Sequence, residues 1–211
     1  MKTIVCFGDS NTHGYNAENF GRFPKNVRWT GLLQNILGDE YEVKEEGMSG
    51  RTCVFDDPLF YGLNGYEYIE VALLTHEPVD KLIIMLGTND VKERFSCNAV
   101  NIAKGLERLI TRAKNRTDAW TNGKPDILVI CPPPIEAGYV NSYCAEEMGK
   151  DCDAKSRKLA PLYEEVATRL GCDFMDAGSI EGMKMNTIDY MHLDEAGHRL
   201  LADAIAKQII H

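Results

Sequence analysis

The feature that most constrains this chain is the recurrence of five short β-prone segments at intervals far longer than a hairpin turn. They are TIVCFG (3–8), YEVKEE (41–46), KLIIML (81–86), DILVIC (126–131) and CDFMD (172–176). The first, third and fourth are almost continuously apolar, the pattern of strands covered on both faces. Between them lie amphipathic stretches of helical length: RWTGLLQNILG, YEYIEVALLTH, NAVNIAKGLERLITRAKNR and SRKLAPLYEEVATRLG. A final run, DEAGHRLLADAIAKQII, places Leu200, Leu201, Ala204, Ile205 and Ile209 on one predicted face, with Asp194 as its N-cap. Strand and helix alternate about five times, which implies right-handed crossovers and a parallel sheet between two helical layers. The expectation is a single α/β domain over residues 1–211, with two long loops at roughly 47–64 and 132–150. Loops of that length in a compact domain are more often functional than idle.

Composition narrows the partners. The 211 residues carry a formal charge of −9, and no Lys/Arg-rich run interrupts the acidic excess. Nucleic acid is thereby disfavoured, because phosphate neutralisation needs clustered cations. No run approaches the roughly 18 apolar residues of a membrane span. The seven cysteines are odd in number and form no C-x-x-C pair, with Cys6 and Cys131 inside apolar strands. Free thiols in a reducing, cytoplasmic compartment are the expectation, and no signal peptide is evident at the N-terminus.

In a doubly wound sheet, ligands bind beyond the carboxyl ends of the strands. Chemically useful residues should therefore follow strands, and they do. Gly8-Asp9-Ser10 follows the first, EGMSGRT with Ser49 and Gly50 follows the second, and GTND (87–90) follows the third. Asp189-Tyr-Met-His192 stands just before the last helix. Each block alone is ordinary turn or cap chemistry. Together they supply what acyl transfer needs. Ser10 is a candidate nucleophile, weak until a base takes its proton. His192 is the candidate base, and Asp189, three residues earlier, can reach Nδ1 and leave Nε2 for Ser10. The backbone N–H groups of Ser10 and Gly50 and the side-chain amide of Asn89 are candidate oxyanion donors. A flavodoxin-like module that binds without chemistry is the competing reading from another class.

These four blocks resemble those of the SGNH hydrolases, or GDSL-type esterases, with Ser10, Gly50, Asn89 and His192 at the four named positions. The stretches RFPKNVRWTGLLQNILG, EEGMSGRT, DDPLFYGLNG and IIMLGTND further resemble the bacterial arylesterase and acyltransferase branch. The resemblance spans nearly the whole chain. It implies a flavodoxin-like three-layer α/β/α sandwich with five parallel strands, and a serine esterase acting on short-chain (acetyl-like) or aryl esters through an acyl-enzyme, with acyl transfer to alcohols as a further outcome. It implies Ser10 as nucleophile, Asp189 and His192 as its partners, Ser10, Gly50 and Asn89 as oxyanion hole, and no cofactor or metal. A carbohydrate acetyl esterase is the alternative substrate reading. Self-association is expected from the branch and from the aromatic loops.

One departure is Asn11, where the name motif has Leu; it is expected to point away from the reacting atoms and tune the turn. His13 is expected to shape the pocket, and Phe55, Phe60, Tyr61, Tyr139 and Tyr143 to narrow it. His198 is expected on a helix surface, His76 and His211 in solvent, and Asp90 as a local residue ordering the loop of Asn89. No His/Cys/Asp cluster has zinc spacing.

Overall fold

The computed structural model describes residues 1–210. Five parallel strands form one sheet: β1 (Lys2–Gly8), β2 (Tyr41–Gly47), β3 (Lys81–Met85), β4 (Ile127–Cys131) and β5 (Asp173–Asp176). Their order across the sheet is β2-β1-β3-β4-β5. Alternation along the central strands divides the apolar residues between two faces. Ile4, Cys6, Ile83, Met85, Leu128 and Ile130 face one cluster; Val5, Phe7, Leu82, Ile84, Val129 and Cys131 face the other. The uninterrupted apolar runs of β1, β3 and β4 follow from burial on both sides. The outer strands are half-buried, and charged residues such as Glu42, Lys44 and Asp173 break up the exposed edges.

Helices α1 (Trp29–Leu37) and α5 (Glu195–Ile210) cover the first face. Helices α2 (Gly65–Thr75), α3 (Ala99–Asn115) and α4 (Leu159–Leu170) cover the second. The result is the expected three-layer sandwich. Its chain reverses direction across the sheet between β1 and β3, and at that switch point the carboxyl ends of two neighbouring strands part to leave a crevice. All seven cysteines are free, and among the described residues no helix is long and apolar enough to cross a membrane.

The last helix is rotated from its predicted face. Asp194 caps it as expected, its Oδ1 accepting from Gly197 N at 2.8 Å. The buried stripe, however, runs through His198, Leu201, Ala202, Ile205 and Ala206, while Leu200, Ala204 and Ile209 flank it. His198 is thus a core residue, not a surface one. Its Nδ1 accepts from Trp29 N at 3.3 Å and its ring meets Phe23 edge-on. Burial pushes its pKa down to about 3, so it is neutral. Counting back three residues from Leu201 would have found it. His76 is also not simply solvated: Nε2 meets Glu46 Oε1 at 2.7 Å. His211 lies outside the described residues. The loop at 132–150 is more ordered than a plain loop, with short helical turns at Ala137–Asn141 and Ala145–Met148.

Ile83 lies at the centre of the sheet and is fully buried. Ile83→Ala is expected to lower the unfolding free energy by about 2–5 kcal/mol, read from the urea midpoint at unchanged m-value.

Candidate active site

Strand β1 ends at Gly8, and the chain turns at once into a single helical turn, Ser10–His13. Asp9 caps that turn, its Oδ1 accepting from Asn11 N at 3.0 Å, and Gly14 closes it in the left-handed conformation. This is a tight way to hold one hydroxyl beyond a strand end. Nothing larger than glycine fits where β2 passes the turn, since a Cβ on Gly47 would lie 2.2 Å from His13 N.

The other half of the site comes from the segment before α5. Asn186 knots that segment: Oδ1 accepts from Ile188 N (2.8 Å) and Asp189 N (2.9 Å), and Nδ2 donates to Asp189 Oδ1 (2.9 Å) and to His192 O (2.8 Å). Asp189 Oδ1 in turn accepts from Met191 N and His192 N, at 3.0 and 3.1 Å. Its other oxygen, Oδ2, meets His192 Nδ1 at 2.8 Å, and His192 Nε2 meets Ser10 Oγ at 2.8 Å. The three residues singled out in the sequence therefore form one hydrogen-bonded line, with Asp189 fully buried. Burial pushes the Asp189 carboxyl up, but the His192 ring, the Met191 N–H and Asn186 outweigh it and hold it below the usual carboxylate range. It is an anion at neutral pH, able to orient an imidazole and stabilise its protonated form.

Asn11 is not among the residues that line the cavity at Ser10, and it does more than tune the turn. Its Nδ2 donates to Met191 O at 3.1 Å and its Oδ1 accepts from Leu193 N at 2.9 Å, so one amide brackets the backbone on both sides of His192. An amide can make this paired contact; the Leu of the name motif could not.

Ser10, Gly50 and Asn89 all line one cavity of about 170 Å³, with Tyr15, Thr88, Lys92, Tyr143, Glu147, Met191 and His192 among its other walls. Gly50 has φ +88, a left-handed conformation that strains any residue with a Cβ, so this turn favours glycine. Asn89 Nδ2 donates to Arg51 O at 3.2 Å. Among the described residues its second hydrogen has only Asp9 Oδ2, at the outer limit of 3.5 Å, and is available to a stronger acceptor. Arg51 is a participant that the sequence did not flag. Its buried guanidinium lies 4.1 Å over the Phe7 ring and donates to Gly8 O (3.1 Å) and to Glu46 O, tying the ends of β1 and β2 together.

Beneath this corner lie two buried carboxyls. Burial pushes Asp9 up to about 6, against the Asn11 N–H that pulls it down. Burial pushes Asp90 up to about 7, with the Cys53 N–H opposing and the charge of Asp9 adding. Asp90 orders its loop as expected: Oδ1 accepts from Cys53 N at 2.8 Å and joins the loop after β3 to the loop after β2.

The expected narrowing of the pocket by bulky loop residues needs correction. Of the five, only Tyr143 lines the cavity. Tyr139 is buried as an anchor of its own loop, its Oη donating to Gly149 O at 2.8 Å. Phe55 stacks on Phe95 at 5.3 Å, and Phe60 and Tyr61 are exposed. His13 does not line the cavity; Tyr15, two residues on, does, with its ring 4.6 Å from that of His192. The sequence reading therefore missed this aromatic neighbour of the imidazole by two positions. Among the described residues no cluster of three His, Cys, Asp or Glu side chains could hold a metal.

A doubly wound sheet with Ser, His and Asp hydrogen-bonded at its carboxyl edge defines a class: the α/β proteins equipped like serine hydrolases. Residues 6–200 match the GDSL-like lipase/acylhydrolase family, and the chain belongs to that family. It is similar to the solved structure of an aryl esterase from M. smegmatis, at 36% identity over 100% of this chain and 99% of that one, with a TM-score of 0.88. It is also similar to a carbohydrate acetylesterase family member from Sinorhizobium meliloti, at 36% identity over 99% and 97% of the two chains, with a TM-score of 0.90. An acetylxylan esterase of Xylanibacter ruminicola is 26% identical over 98% of this chain; the chain spans only 42% of that protein's length.

Asp90 makes a distinct contribution to pH dependence. A carboxyl raised to about 7 contributes stability that is fully present below its unfolded value near 4 and is lost as pH rises through 7. Asp90→Asn, which keeps an acceptor for Cys53 N, should therefore gain on the parent protein by roughly 2 kcal/mol between pH 5 and pH 8. Urea unfolding at the two pH values checks it; parallel curves would reject the buried-carboxylate account.

Proposed function

We propose that this protein is a serine esterase that hydrolyses short-chain, acetyl-like or aryl carboxylic esters through an acyl-enzyme, with residues 1–211 acting as one catalytic domain. Ser10 Oγ attacks the ester carbonyl while His192 Nε2 takes its proton, and Asp189 steadies the imidazolium that forms. The amides of Ser10 and Gly50 and the Asn89 side chain hold the tetrahedral oxyanion. His192 then protonates the departing alcohol oxygen. Water, or a second alcohol in an acyl transfer, enters by the reverse of these steps and frees the serine. The observation that carries this reading is the continuous line Asp189 Oδ2–His192–Ser10 Oγ, at 2.8 Å for each contact, opening on the cavity lined by Gly50 and Asn89.

The size of the cavity supports a small acyl group. About 170 Å³ is below the roughly 300–1,000 Å³ of pockets that hold drug-sized ligands. One wall supports a second substrate reading. Lys92, buried, meets Glu147 Oε1 at 3.0 Å, and Arg94 binds the same carboxylate. An ammonium has three donors and a carboxylate spare acceptors, so this wall can bond the hydroxyls of an acetylated sugar. The likeness to proteins named as carbohydrate acetylesterase and acetylxylan esterase agrees with that reading. No cofactor is needed for the proposed steps.

Two further expectations belong with this proposal. A reducing, cytoplasmic setting accords with seven free thiols. Self-association accords with the exposed apolar residues Leu59, Phe60 and Tyr61 on the loop between β2 and α2; light scattering that shows only monomer at micromolar concentration would reject it.

Three outcomes test the chemistry. A fluorophosphonate should label Ser10, as read by mass spectrometry, whereas a binding module would stay unmodified. Ser10→Ala should lower kcat by several orders of magnitude, and Asn89→Ala by about a hundred- to a thousandfold. Across p-nitrophenyl esters, kcat/KM should fall from acetate to long chains; a preference for long chains would refute the small-acyl assignment, and faster turnover of sugar acetates would favour the second reading.

A further inference from the structure

A second hydrogen-bonded line ends on the same carboxylate. Tyr143 Oη lies 2.9 Å from Asp189 Oδ2, the oxygen already met by His192 Nδ1. Tyr15 Oη lies 3.1 Å from Tyr143 Oη. An ionised carboxylate can only accept, so Tyr143 donates to Asp189 and its own oxygen is left to accept from Tyr15. The direction of the chain is thereby set, from Tyr15 through Tyr143 to Asp189.

Neither tyrosine is placed by chance contact. Tyr143 sits on the loop after β4, and that loop is laced on both sides of it. Tyr139 Oη accepts from Cys152 N at 3.2 Å, while Ser142 Oγ donates to Tyr139 O at 2.7 Å and accepts from Cys144 N at 3.2 Å. The Phe20 and Tyr143 rings meet edge to face, with centroids 5.1 Å apart. Tyr15 belongs to the segment of Ser10 itself, and its ring leans on that of His192 at 4.6 Å. The four side chains and the Ser10 segment thus close a ring: serine, imidazole, carboxylate, two phenols, and back along the chain.

We propose that Tyr143 is a positioning residue for the reaction, holding Asp189 Oδ2 toward His192 Nδ1, and that Tyr15 holds Tyr143. The role rests on the esterase reading and deepens it. Oδ2 has two lone-pair directions, of which His192 takes one. The Tyr143 hydroxyl takes the other, and so keeps water from competing with the imidazole for this oxygen. A carboxylate torsion is broad by itself, so its stance depends on such partners. Asn186 and two backbone N–H groups pin Oδ1; among the described residues, Tyr143 is the one side chain other than His192 that holds Oδ2. The carboxylate matters most when the imidazole carries the serine's proton, so a fault in its stance appears in kcat rather than in binding.

Removing only the hydroxyls tests this. With p-nitrophenyl acetate, Tyr143→Phe should lower kcat about ten- to a hundredfold, the range for one hydrogen bond to a charged group, with KM within about twofold. Added to Asp189→Ala, which leaves nothing for the phenol to hold, Tyr143→Phe should cost less than about twofold more. Tyr15→Phe should give a smaller loss of kcat that disappears when Tyr143 is already Phe. A merely structural tyrosine would instead give losses that multiply across the pair, and that result overturns the proposal. So does a Tyr143→Phe enzyme with the parent kcat while Ser10→Ala is dead, an outcome that leaves the esterase reading standing. A parent protein with neither turnover nor fluorophosphonate labelling overturns the esterase reading and the tyrosine role together.

Discussion

The hydrogen bond between Ser10 Oγ and His192 Nε2 joins positions 182 residues apart, and much of the molecule serves to bring its two ends together. Ser10 is carried at the end of β1, an interior strand paired on both sides. His192 is carried by an irregular segment with no strand or helix of its own. Such a segment holds still only if its backbone groups are satisfied locally, and here Asn186, Asp189 and Asn11 satisfy them. Asn11 is the link between the halves, since it stands beside the serine and bonds to the backbone flanking the histidine. A turn residue that looked incidental is what registers one loop against the other.

Electrostatics at the site are asymmetric for a physical reason. Asp189 is surrounded by donors and remains an anion, as a partner for imidazolium must be. Asp9 and Asp90 lie under the opposite corner with fewer donors; burial raises both, and the charge of Asp9 adds to the rise at Asp90. Charge beneath Asn89 would oppose charge developing on a carbonyl oxygen in front of it. The buried Arg51 guanidinium, bonded to Gly8 O and stacked on Phe7, offsets part of that field. The corner is costly to build, and it is held by the sheet core below it.

The loops after β2, β3 and β4 meet over the cavity, and each brings a different resource. The first brings glycine and a close backbone, the second an amide, the third a phenol and the acidic partner of Lys92. None of these would be placed without the others, because the loops are bonded to one another: Asp90 to Cys53, Asn89 to Arg51, Lys92 to Glu147. Sequence-distant residues that share one site therefore depend on loop-to-loop contacts more than on any single turn.

What the sequence determined by itself was the periodic frame. Apolar runs covered on both faces, alternating with amphipathic stretches, have few ways to pack, and the strand ends then locate the crevice. Gly8-Asp9-Ser10, Gly50, Asn89 and the pair Asp189 and His192 were legible because strand-end position and residue chemistry coincide there. Tertiary structure decided the rest. It turned α5 so that His198 entered the core, a difference of one helical position that hydrophobicity alone does not resolve. It sent Tyr139 inward and Tyr61 outward, and it set Tyr15 rather than His13 against the imidazole. Side-chain direction in a loop depends on contacts with residues far along the chain, and those contacts exist only once the layers have closed.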